Sequence, residues 1–192
     1  MGADRLAWIE HTARQTEAPE SLSAGLGAVS AMLAMLGDRA GARRLMVELL
    51  GRADVGTWWW FTLLPTLVRR AIGFGDVDLA AAINRHSDST APMAENAAAA
   101  GRAAILEARG DLRAAVDVYA DAIERWEAQG MAVELAFVDL GRGRSLRALG
   151  QTDDARHALE RARAVFTELK ATPALDEMDA LLGGAPLALG ES

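Results

Sequence analysis

The sequence predicts an all-α protein in which four helical hairpins stack into an α-α superhelix with a further helix at each end. The first observation is a short pattern, a Gly usually followed by Asp and always by Ala five positions later, which recurs four times. Its glycines are residues 37, 75, 110 and 150, so the intervals are 38, 35 and 40 residues. Periods of this length are typical of stacked helical hairpins. The second observation is that apolar residues recur at steps of three or four, and no run alternates with period two.

Residues 1–20 are predicted to form a helix that corresponds to the second half of a truncated repeat. Gly2 begins the same pattern, and it precedes Gly37 by 35 residues. The apolar residues of this helix, which we expect to be only half covered, are Leu6, Trp8 and Ile9. Two interpretations stay open: a natural N-terminal cap, or one piece of a longer solenoid.

Each Gly-Asp step is interpreted as the turn between the two helices of a hairpin. The Gly ends the first helix in the left-handed conformation, which other residues enter at an energetic cost. The Asp then caps the second helix by accepting a hydrogen bond from an unpaired backbone N–H. The Ala lies one turn into that second helix, where a small side chain allows close approach.

The predicted helices follow in order along the chain. The first helices of the hairpins cover residues 21–36, 57–74, 93–109 and 131–149. Their partners cover residues 39–51, 77–87, 112–129 and 152–171. Pro173 opens a closing helix that ends near Leu182, because proline is favoured in a first turn. Residues 21–183 are therefore assigned to the repeat domain and residues 184–192 to a flexible tail.

Composition excludes several classes of function. The net charge of −7 disfavours binding to nucleic acid, and the absence of cysteine excludes disulfides and thiolate chemistry. No arrangement of residues predicts a metal site, a cofactor site or a catalytic group, so we expect no enzyme activity. The uncharged stretches 21–37 and 55–68 are too short to span a membrane, and we expect a cytoplasmic protein.

Two resemblances follow from these motifs. Gly110, Ala115, Tyr119 and Ala122 match the second half of the tetratricopeptide repeat position for position, although the intervals exceed its usual length. Residues 63–182, including "LLPTLVRRAIGFGDVDLAAAI" and "ARHALERARAVFTELKATPALDEMDALL", resemble the C-terminal repeats of bacterial adenylate/guanylate cyclase and LuxR/MalT-type signalling ATPases. A P-loop needs Gly-Lys-Ser/Thr, and the only lysine, Lys170, precedes Ala171. The resemblance therefore implies a sensing or scaffolding region.

The resemblance also implies which residues face a partner. In the tetratricopeptide register the concave groove is lined by Arg69, Glu107, Phe137, Leu140, Arg144 and Arg147. The three arginines could clamp a carboxylate of an acidic peptide. The alternative is a solvated helix face on which they pair with nearby acids.

Trp58, Trp59 and Trp60 are three consecutive residues of one predicted helix, so they point about 100° apart and cannot all pack on one face. Core packing between two neighbouring helices and an exposed aromatic anchor for a partner both stay open. Pro65 is expected to bend this helix or to delay its start.

Together with the resemblance, the sequence predicts a module that binds protein or peptide as the regulatory or sensing end of a larger bacterial signalling protein. The partners that the resemblance implies are a second copy of the chain or the cyclase or ATPase domains of the parent protein. A free-standing adaptor with a peptide in its groove is the alternative. A small-molecule sensor would need a deep pocket.

Overall fold

The structure is a computed structural model that describes residues 3–52, 58–85 and 91–183. Within these residues the chain forms ten α-helices and no strand, which confirms the predicted all-α class. The helices in chain order are α1 (Ala3–Gln15), α2 (Pro19–Met35), α3 (Arg39–Arg52), α4 (Trp58–Gly73), α5 (Val77–Arg85), α6 (Pro92–Ala108), α7 (Leu112–Gln129), α8 (Ala132–Ala148), α9 (Thr152–Glu168) and α10 (Thr172–Leu182). The predicted tail, residues 184–192, lies outside the described residues.

The turns between helices form as the repeated pattern predicts, with one exception. The four pattern glycines all have positive φ: Gly37 at 84°, Gly75 at 79°, Gly110 at 82° and Gly150 at 79°. Asp38 accepts a hydrogen bond from the N–H of Gly41 at 2.8 Å, and Asp76 from that of Leu79 at 2.9 Å. Asp111 makes no such bond, so the prediction that it caps α7 is wrong. There the turn is formed by the left-handed Gly110 and by the backbone hydrogen bond from the N–H of Asp111 to the carbonyl of Leu106, at 3.0 Å.

The chain divides into two compact units, Met1–Gly101 and Arg102–Ser192. In the first unit α2 packs against α1, α3 and α4, and α4 packs against α5. In the second unit α8 packs between α7 and α9, and α9 also contacts α10. Each unit is therefore built from helices that pack against their neighbours along the chain, as helical hairpins do. The continuous superhelix stays a prediction.

The N-terminal helix α1 is half covered, as its sequence predicts. Leu6 and Ala13 are buried against α2, whereas Trp8 is 65% exposed. The approach to α2 is close, because a Cβ added to Gly25 would lie 2.6 Å from the Cβ of Ala13. The small residues of α2 thus let α1 lie directly on its backbone.

The segment "LGRGRS" lies in the middle of α8, where its two glycines serve helix packing. A Cβ on Gly141 would lie within 3 Å of the ring of Tyr119 on α7. A Cβ on Gly143 would lie 2.7 Å from Leu159 on α9. The two glycines therefore admit large side chains from opposite sides of α8. This segment is a packing device of the second unit.

Candidate functional site

The residues that the repeat register assigns to a groove are distributed over both units. Arg69 lies on α4 in the first unit, whereas Glu107, Phe137, Arg144 and Arg147 lie in the second. The structure uses several of these side chains for contacts between its own helices.

In the second unit, Arg144 is the centre of a network that joins four helices. Its Nε donates to Oε1 of Glu107 at 2.6 Å, and its Nη2 donates to Oε2 of the same carboxylate at 3.0 Å. Its Nη1 donates to Oε1 of Glu177 on α10 at 2.6 Å. The hydroxyl of Tyr119 on α7 donates to Oε2 of Glu107 at 2.6 Å. The guanidinium on α8 is thus held by carboxylates from α6 and α10.

The electrostatics of this network favour a permanently charged Arg144. Burial opposes the charged form, but the carboxylates of Glu107 and Glu177 outweigh it and hold the pKa of Arg144 above its ordinary value. The Arg144 and Glu107 side chains are 27% and 15% exposed, so solvent screens their attraction only in part. A bidentate pair of this kind fixes the angle between two helices. Arg144 therefore already has the carboxylate partners that a bound peptide would otherwise supply.

The other predicted groove residues of the second unit also make internal contacts. Nη1 of Arg147 donates to the backbone carbonyls of Leu181 and, at 3.3 Å, Ala180. Carbonyls at a helix C-terminus lack partners within the helix, so Arg147 satisfies the end of α10. Phe137 packs edge to face on Phe166 with centroids 4.9 Å apart. Leu140 is buried in the apolar cluster of α8, α9 and α10.

A further ion pair joins α8 to α9. Both oxygens of Asp139, which is 2% exposed, accept hydrogen bonds from Arg161. Burial raises the pKa of Asp139 although Arg161 opposes that shift. The sequence reasoning missed this pair because Asp139 lies among apolar residues of α8.

In the first unit the structure shows whether one of the three consecutive tryptophans is buried or exposed. Trp60 is fully buried in the core beside Phe61 and Leu64. The side chains of Trp58 and Trp59 lie outside the described residues. Helix α4 continues through Pro65 and begins before it, so this proline does not delay the start of the helix.

Arg69 and its neighbour Arg70 differ in their surroundings. Nη2 of Arg69 donates to the hydroxyl of Thr66 at 3.0 Å. Nη1 of Arg70 donates to the backbone carbonyl of Gly27 on α2 at 3.1 Å. Among the residues that the structure describes, no carboxylate pairs with Arg70, which is half-buried. Burial, with the nearby charge of Arg69, lowers the pKa of Arg70.

An open depression of about 310 Å³ lies between α2 and α4, and its α4 residues are about two helical turns before Arg70. Its lining is formed by Glu20, Ser21, Ala24, Thr62 and Leu63. Its apolar part, which we call the floor, is formed by Ala24 and Leu63, and its polar part, the rim, by Glu20, Ser21 and Thr62. We call the depression together with Arg70 the α2–α4 groove. The sequence contained a signal for it, since Leu63 and Arg70 are seven residues apart and share a face of α4.

A second depression, of about 420 Å³, lies at the start of α3 beside the turn from α4 to α5. Its lining includes Arg39, Arg43, Phe74 and Asp76. Arg43 is paired with Asp76, which also caps α5. Arg43 and Asp76 therefore neutralise each other, and the exposed Arg39 adds one further positive charge to this depression.

No protein-family model matches the chain, and no curated protein matches it at a significant level. None of the helices that the structure describes is long and apolar enough to cross a membrane. In the same residues, no three His, Cys, Asp or Glu side chains come together in a group that could hold a metal ion. The class that the structure defines is an all-helical protein of packed helical hairpins.

Proposed function

We propose that this chain is a non-catalytic interaction domain of helical repeats that binds a protein or peptide partner. The observation that carries the proposal is the α2–α4 groove, in which a half-buried arginine without a carboxylate partner among the described residues adjoins an open apolar depression. Buried charges in proteins are normally paired, so this surface favours an occupant that brings the missing charge.

The repeat interpretation is supported by ion pairs that span one repeat length. Arg14 of α1 pairs with Glu48 of α3, 34 residues later. Arg144 of α8 pairs with Glu107, 37 residues earlier, and with Glu177, 33 residues later. Contacts between equivalent helices at separations close to one repeat length, here 33 to 37 residues, are expected when each repeat stacks on the next. Repeat proteins commonly use the surface so formed for recognition.

Within this proposal the chain acts in the bacterial cytoplasm as the regulatory or sensing C-terminal part of a larger signalling or transcription-regulating protein. The resemblance of residues 63–182 to such regions supports this assignment. The partner is then a cyclase or ATPase domain of the parent protein, or a second copy. A free-standing adaptor that holds a peptide in the same groove is the second candidate, and the groove supports it equally.

Site-specific photo-crosslinking in cells tests the proposed function. A photoreactive amino acid replaces Ser21, an exposed residue on the rim of the groove, and in a matched control it replaces Val47, exposed on α3 of the same unit. We expect a protein adduct from position 21 and a much weaker one from position 47. Equal adducts from both positions, or none from position 21, would refute recognition at the groove.

The size of the native polypeptide separates the two candidates. An antibody against this region should detect a band several times larger than 20.4 kDa if the chain is part of a signalling protein. A band near 20.4 kDa would favour the free-standing adaptor.

A further inference from the structure

We propose that the α2–α4 groove binds an extended partner segment that has an apolar residue and, two residues away, an acidic residue. The apolar side chain fills the depression and the carboxylate binds Arg70. This inference rests on the proposed function, because it names the ligand of the same surface.

Arg70 has more hydrogen-bond donors than its surroundings among the described residues use. A guanidinium has five N–H donors, and the carbonyl of Gly27 accepts from one nitrogen. By contrast, Arg14 and Arg161 have carboxylate partners that raise their pKa values. Arg70 has no such partner among the described residues, and its pKa is lowered. An incoming carboxylate would satisfy the remaining donors and gain charge-assisted hydrogen bonds.

The groove beside Arg70 has room for an apolar side chain. Ala24 and Leu63 form an apolar floor, and a volume of about 310 Å³ accommodates an aliphatic side chain. Gly27 and the exposed Ala28 continue the wall of α2 towards Arg70. Small residues at these positions let a peptide backbone lie close to the helix.

The spacing between the apolar floor and Arg70 matches the two-residue repeat of an extended chain. The carbonyl of Gly27 marks the position of the guanidinium on α2. Gly27 lies three residues beyond Ala24 and six beyond Ser21, or roughly 4.5 to 9 Å at the helical rise. In an extended chain, residues i and i+2 point to the same side and are about 6.6 Å apart. An acid two residues from the apolar anchor therefore reaches Arg70.

The opposite end of the depression carries Glu20, which is exposed. A basic residue of the partner is favoured there, although an exposed pair contributes little. The preferred segment thus has a base, an apolar residue and an acid at alternate positions.

Fluorescence anisotropy of labelled peptides with the full chain tests this inference. The probes are amidated Gly-Lys-Ser-Leu-Ser-Glu-Gly and its reverse order, because the groove does not fix the direction of the segment. The controls are Gly-Ser-Lys-Leu-Glu-Ser-Gly and its reverse, which have the same composition and charge but place the charges beside the leucine. We expect one probe to bind at least about tenfold more tightly than its control.

The variant Arg70→Met should bind that probe at least about tenfold more weakly than the wild type does. The control Arg5→Met, at an exposed residue of α1, should bind it with unchanged affinity. Circular dichroism confirms that both variants keep their helices. The inference is wrong if neither probe exceeds its control, or if Arg70→Met binds as tightly as the wild type. If the crosslink from position 21 persists while the probes fail, the proposed function stands and only the ligand class is wrong.

Discussion

Replacing Arg144 with Met tests whether this arginine holds the second unit together. The substitution keeps most of the aliphatic length of the side chain but removes donors to Glu107 and Glu177. Removing one partner of a buried ion pair lowers the free energy of unfolding by about 3–5 kcal/mol, because the other charge is left uncompensated. In the variant, Glu107, which is 15% exposed, still accepts the hydrogen bond from the hydroxyl of Tyr119. Glu177 is 35% exposed, so water can solvate its carboxylate. We therefore expect a loss of about 2–4 kcal/mol.

The assay is urea unfolding followed by circular dichroism, with Arg70→Met as the matched control. Arg70 makes one hydrogen bond to a carbonyl, worth about 1 kcal/mol, and its removal also relieves the burial of a charge. We expect the stability of Arg70→Met to lie within about 1 kcal/mol of the wild type. Equal losses in both variants, or no loss in Arg144→Met, would refute the assignment of Arg144 to structure and Arg70 to recognition.

Two further predictions concern packing and pH. Gly141→Ala should destabilise the protein by about 1–3 kcal/mol in thermal unfolding, because the new Cβ would overlap the ring of Tyr119. The control Gly51→Ala, on the open surface of α3, should be neutral or stabilising by up to about 1 kcal/mol. Destabilisation by both substitutions would show that the cost is not steric. Asp76 has a pKa below its ordinary value of 3.8, chiefly because it accepts the N–H of Leu79. A lowered folded pKa gives stability that is present above pH 4 and is lost as the pH falls through the folded pKa. Asp76→Asn should therefore be less stable than the wild type at pH 6, by about 1 kcal/mol, and this difference should shrink below pH 4; a constant difference from pH 6 to pH 3 would contradict this origin.

The sequence predicted the helices and turns well because local rules decide them. A glycine that needs a left-handed conformation marks the end of a helix wherever it occurs. The helix caps were less predictable. The side chains of Asp38 and Asp76 accept a hydrogen bond from a backbone N–H of the next helix, whereas that of Asp111 does not. Whether an Asp caps depends on side-chain rotation, which a repeated pattern does not determine.

The sequence did not predict the α2–α4 groove, although it selected Arg69, which precedes Arg70 on α4. The register placed Arg144 and Arg147 on a binding surface, but their partners are 33 to 37 residues away in sequence, on neighbouring helices. A long side chain can pair internally or face solvent from the same backbone position. Arg70 was not selected, although it follows Arg69 directly. Its importance comes from a missing partner, which the sequence of one helix cannot reveal.

The most direct test of the account measures the crosslinked adduct from position 21 in cells, with Arg70 intact and with Arg70→Met. We expect the substitution to lower the amount of adduct at least about tenfold while the abundance of the protein stays the same. An unchanged adduct in Arg70→Met would contradict the claim that the α2–α4 groove recognises its partner through this arginine.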